Sequence, residues 1–170
     1  MHDEARFGLH EGITRRHITG PGVKHCQPVL PRYEYFWSYA AVEPLTGESL
    51  FLEMPALDSD CFQIFLDELS KAYPDTLNVM VVDGAPAHIA KCLKIPSNVV
   101  LFRLPPYCPE LNPIERLWQD FRSRLSLQLP AGLSALAEDA ARVVREYTPQ
   151  ALASITGYDY LRKAYFAQAT

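Results

Sequence analysis

Four consecutive apolar residues, Val79-Met80-Val81-Val82, run straight into Asp83-Gly84. A run this short, β-branched and closed by a turn pair suits a strand buried on both faces of a sheet. A strand covered on both sides needs helices above and below it, which restricts the chain to a layered α/β architecture. The flanking sequence supplies the layers. Tyr33 to Val42 reads as a strand, Thr46-Gly47-Glu48 as a turn, and Ser49 to Met54 as a second strand forming an antiparallel hairpin. Asp58 or Ser59 caps a helix with Phe62, Phe65, Leu66, Leu69 and Tyr73 at helical spacing, and Pro74 ends it. Val99 to Leu104 is a further strand, followed by a proline-punctuated loop to Pro109. A helix begins near Asn112 with Ile114, Leu117, Trp118, Phe121 and Leu125 on one stripe, another runs from about Leu133 to Tyr147, and Thr148-Pro149 caps a last short one. The opening residues Met1 to Gly8 read as the end of a strand whose beginning is missing, with Asp3 near that end.

With 170 residues, 48% hydrophobic content and a net charge of −4, the chain is expected to fold as one domain over residues 1–170. No apolar run approaches the roughly 18 residues of a spanning helix, and no secretory leader is visible, so no membrane partner is expected. Cys26, Cys61, Cys92 and Cys108 form no C-x-x-C pair, which points to free thiols in a reducing cytoplasm. Charge is segregated. Gly12 to Tyr33 has no acid but carries Arg15, Arg16, Lys24 and Arg32, whereas Glu43 to Asp83 holds nine acids against Lys71 alone. Basic segments act locally within a Debye length, so nucleic acid is a candidate partner despite the overall acidity.

Three carboxylates stand where such a sheet would present them. Asp83 ends the buried strand, Asp3 lies on the first strand, and Glu115 lies in the first turn of the helix after Asn112-Pro113. Gathered together they repel, and a cation would relieve them; carboxylate oxygens suit Mg²⁺ or Mn²⁺. Each also has a plain structural reading. Asp83-Gly84 makes a turn, Glu115 completes a capping box with Asn112, and Glu4, on the opposite face of its strand, is an ordinary surface acid. Cys108 and Trp37 read as packing residues.

Three stretches carry a resemblance: Asp3-Glu4-Ala5-Arg6-Phe7-Gly8, Val81-Val82-Asp83-Gly84-Ala85-Pro86-Ala87-His88, and the proline-rich segment from Leu104 to Trp118. Together they resemble the catalytic domain of DDE transposases, in particular the mariner superfamily and its bacterial insertion-sequence branch. The spacing agrees, with 79 residues between Asp3 and Asp83 and 31 between Asp83 and Glu115. The resemblance implies a ribonuclease-H-like α/β fold: a mixed five-stranded sheet of order 3-2-1-4-5 flanked by helices, here with the first strand truncated. It implies metal-dependent cleavage of DNA and strand transfer in the transposition of an insertion sequence. Asp3, Asp83 and Glu115 would be the catalytic ligands of two Mg²⁺ or Mn²⁺ ions, one activating water and then the 3′-hydroxyl, the other stabilising the leaving oxygen. His88 would support the site or contact a DNA phosphate, and Arg15, Arg16, Lys24 and Arg116 would hold double-stranded DNA at transposon ends and target. A homodimer in a bacterial, nucleoid-associated setting is implied. The family's N-terminal helix-turn-helix region is absent, so an upstream transposase half is a further expected partner; the alternative is an inactive remnant that binds DNA or dimerises.

Overall fold

The structure, a computed structural model, describes residues 1–9, 34–106, 108–126 and 130–167. Strands β1 (His2–Gly8), β2 (Tyr35–Val42) and β3 (Ser49–Met54) form an antiparallel sheet in the order β1-β2-β3. Helix α1 (Ser59–Ala72) follows, its N-cap Asp58 accepting from the Cys61 amide at 2.8 Å. Strands β4 (Asn78–Val82) and β5 (Val99–Arg103) pair in parallel as a second sheet. Helices α2 (Ile114–Leu125), α3 (Leu133–Glu146), α4 (Pro149–Thr156) and α5 (Asp159–Ala167) complete the described chain. None of the helices is long and apolar enough to cross a membrane.

The period-two alternation of β1 and β2 sorts the core into two clusters. Ala5, Phe7 and Leu9 of the first segment join Phe36, Ala40 and Val42 against Ile114, Leu117, Trp118 and Phe121 of α2, with α3 and α4 outside them. On the opposite face, Tyr39 and Met54 meet Phe62, Phe65, Leu66 and Leu69 of α1 together with Met80, Val82 and Val99. The result is helices, sheet, helix: a mixed α/β sandwich. The β2–β3 turn needs Gly47, whose φ of 78° is a left-handed conformation, and the Pro149 backbone packs against it where a Cβ would stand.

Three expectations change. The expected single sheet of order 3-2-1-4-5 is two sheets, because β4 neighbours β1 in space without a hydrogen-bonded ladder. A cleft of about 510 Å³, bordered by Met1, Ala41, Val42 and Asn78 to Val81, lies alongside β4. Secondly, β4 is covered on one face only: Met80 and Val82 are buried, but Val79 is 57% exposed, because α2 to α4 pack over β1 and β2 instead of over the second sheet. Thirdly, Asp3 stands at the beginning of β1, whose seven residues all pair with β2, from His2 opposite Ala41 to Gly8 opposite Tyr35.

Candidate active site

Strand β1 splits its polar residues between faces. Asp3 points to the α2 side, where the Trp118 indole Nε1–H donates to its Oδ2 at 3.1 Å. His2 and Glu4 point to the α1 side. Burial pushes the Asp3 carboxyl up to about 7, and the negative charges of Glu115, Glu4 and Asp83 add to the push. Asp3 therefore shares one local field with both other expected carboxylates, although they are far away in sequence. Glu115 is exposed in the first turn of α2, and the expected capping box does not form among the described residues, because the N-cap position is Pro113, which makes no side-chain cap bond. Asn112 Oδ1 accepts from the Ile114 amide at 3.4 Å, and its Nδ2 donates to the His2 carbonyl oxygen at 2.9 Å, which ties the α2 start to β1.

Asp83 closes β4 and does make the turn expected of Asp-Gly, its Oδ1 accepting from the Ala85 amide at 2.9 Å. The same oxygen accepts from His88 Nδ1 at 2.7 Å. His88 lies in a 3₁₀ turn, Pro86–Ile89, and is 3% exposed. Its Nε2 donates to Glu4 Oε1 at 2.9 Å, so both ring nitrogens are engaged within the protein. Burial pulls the imidazole down, but the bonds and charges of Glu4 and Asp83 outweigh it and raise the His88 pKa. Glu4 also faces His2 Nε2 at 2.9 Å, and His2 Nδ1 donates to the Ala40 carbonyl oxygen at 2.9 Å. Burial pushes the Glu4 carboxyl up, yet its two imidazole partners outweigh burial and hold it at about 2.

Glu4 is thus no surface acid: its side chain is 5% exposed and clamped between two histidines. The signal that could have found it is its place in the same short segment as Asp3, which the reading by faces set aside. Trp118 was legible as core, and its second role as a donor to Asp3 was not. Arg116 is exposed beside Glu115, its guanidinium 4.2 Å from the Tyr158 ring centroid. Arg15, Arg16 and Lys24 lie outside the described residues, as does Cys26. Cys61, Cys92 and Cys108 are free thiols, and Trp37 packs against the α1 cluster.

The donor set fits hard divalent cations. Asp3, Asp83 and Glu115 offer only oxygen, Asp83 Oδ2 has no hydrogen bond among the described residues, and the Asp3 carboxyl is raised by burial first and then by acidic neighbours.

Residues 1–136 match the family described as DDE superfamily endonuclease. A protein of Sinorhizobium fredii (strain NBRC 101917 / NGR234), uncharacterized protein y4pE/y4sA, is 38% identical over 89 residues, covering 51% of this chain and 66% of the relative. Among solved structures, the Mos1 mariner paired-end complex with Mn overlays with a TM-score of 0.71 at 14% identity, covering 95% of this chain and 52% of that one. The Mos1 paired-end complex with the left transposon end gives 0.68 at 13% identity, over 92% of this chain and 50% of that one. The chain therefore spans about half the length of the Mos1 transposase chains that share its fold.

Proposed function

Because the chain belongs to the DDE superfamily of endonucleases, we propose that it is a transposase catalytic domain that cuts and joins DNA strands during the movement of an insertion sequence. The observation that carries the reading is the family match over residues 1–136, a span that holds Asp3 on β1, Asp83 at the end of β4 and Glu115 in the first turn of α2. These three would hold Mg²⁺ or Mn²⁺. When bound, such ions supply activation of the attacking oxygen and neutralisation of the leaving one. The protein's part is placement. Trp118 and the tie between Asn112 and His2 fix Asp3 against α2, and Glu115 presents its carboxylate from the adjoining helical turn. Asp83 is held by the Ala85 amide and His88, which supports a role for His88 at the acidic site.

Arg15, Arg16, Lys24 and Arg116 are the proposed phosphate contacts on double-stranded DNA, which would position the duplex without reading its sequence. In the working assembly the domain acts as a homodimer. The test is nicking of supercoiled plasmid in Mn²⁺. Wild-type protein nicks and EDTA stops it, whereas D83N leaves the plasmid closed. Equal nicking by purified D83N and wild type would refute the assignment.

A further inference from the structure

The polar cluster beneath the acidic site is larger than the reading above uses. An unbroken series of contacts runs from the Ala40 carbonyl of β2 to His2, then Glu4 of β1, then His88, and ends on Asp83 Oδ1 after β4, each step between 2.7 and 2.9 Å. It is almost wholly buried: His2 is 0% exposed, the Glu4 side chain 5% and the His88 side chain 1%. Its rings pack on Phe62 and Phe65 of α1, with centroid separations of 4.5 Å from His88 to Phe62 and 4.7 Å from His2 to Phe65. A series this enclosed has few other rotamers available to it.

Two features show what it does. First, it crosses the gap between the two sheets at the one place where a ladder is missing, so side chains join β1 to β4 where the backbone does not. Second, it ends on one oxygen of a side chain that is otherwise 55% exposed. A solvent-facing aspartate on a turn samples several rotamers. Bonds from His88 Nδ1 and the Ala85 amide to the same Oδ1 fix its rotation and leave Oδ2 available. We infer that Glu4 and His88 are a positioning pair, which sets the Asp83 carboxylate, and its separation from Asp3, for capture of a divalent cation. The inference rests on the reading of Asp83 as a cation ligand.

The cluster is not itself arranged as an ion site. His2 Nε2, Glu4 Oε1 and His88 Nε2 lie within 4.8 Å of one another, the donor set of a zinc centre. Yet the 2.9 Å nitrogen–oxygen separations are hydrogen-bond lengths. A tetrahedral ion with bonds of about 2.0–2.1 Å would spread its ligand atoms to roughly 3.3 Å in a core already filled by phenyl rings.

Mn²⁺ binding without DNA, followed by titration calorimetry, tests the pair in the full chain. H88N puts an amide where Nδ1 was, keeping a donor for Asp83 and losing the reach to Glu4; E4Q keeps the shape and removes the charge. Both should retain the wild-type circular dichroism spectrum and bind Mn²⁺ about 10- to 100-fold more weakly. Nicking by either should recover as Mn²⁺ is raised, moving the metal requirement more than the maximal rate. Wild-type Mn²⁺ affinity in both folded variants would overturn the inference. So would tight Zn²⁺ binding that H88N abolishes and D83N keeps, since the cluster would then be an ion site. D83N binding Mn²⁺ as wild type does would instead overturn the parent assignment of Asp83, and this inference with it.

Discussion

As a proposed cation ligand, Asp3 would link folding to cation binding through a single carboxyl. Its folded pKa of about 7 lies above the value of about 3.9 expected for an unfolded aspartate. Below pH 4 both states are protonated. As pH rises from 4 through 7 the unfolded chain releases its proton first, so this residue makes the cation-free fold progressively less stable. A divalent ion binds the ionised form and reverses the trend. The rise in melting temperature produced by Mn²⁺ should therefore be larger at pH 8 than at pH 6, and equal rises at both would contradict the assignment of Asp3. The expected triad of Asp3, Asp83 and Glu115 was read from motif residues. Its supports were not. Strand alternation tells that Glu4 faces away from Asp3, but only the fold brings His88, 84 positions later, to meet it. Likewise Trp118 announces itself as apolar surface in a helical stripe, and a single indole N–H among those core atoms leaves no trace in a hydrophobic pattern.

At the scale of elements, local chemistry predicts well wherever a cap or turn residue states its own role. Asp58 caps α1, Thr148 caps α4 by accepting from the Ala151 amide, and β3 runs from Ser49 to Met54 as expected. Asn112 follows that rule only in part: its Oδ1 accepts from the Ile114 amide at 3.4 Å, while a tertiary partner, the His2 carbonyl, takes its Nδ2. The β4 run fails for a related reason: apolar residues show that a strand can be buried, not which helices arrive to bury it. Gly47 joins two such elements, with a left-handed backbone and Pro149 of α4 packed against it. Gly47→Ala should cost more than about 1 kcal/mol through strain and displacement of α4. Urea unfolding measures this, and an unchanged midpoint would show that the junction yields freely.

Across the whole molecule, the helices after β5 shield one sheet and leave the other partly bare. Leu77, Val79, Val100 and Phe102 are 67%, 57%, 45% and 59% exposed on or next to β4 and β5. Clustered exposed apolar residues beside an unpaired strand favour association between copies. The protein should self-associate with rising concentration, and Phe102→Ser should shift it towards monomer in light scattering coupled to gel filtration; identical masses for both proteins would remove this face as the cause. The two sheets also carry different parts of the acidic triad, Asp3 on one and Asp83 on the other. The angle between the two sheets therefore sets the separation of Asp3 and Asp83, and His88, bonded to both Glu4 and Asp83, braces that angle. For the proposed metal site, affinity would then depend on mechanical stiffness as much as on charge.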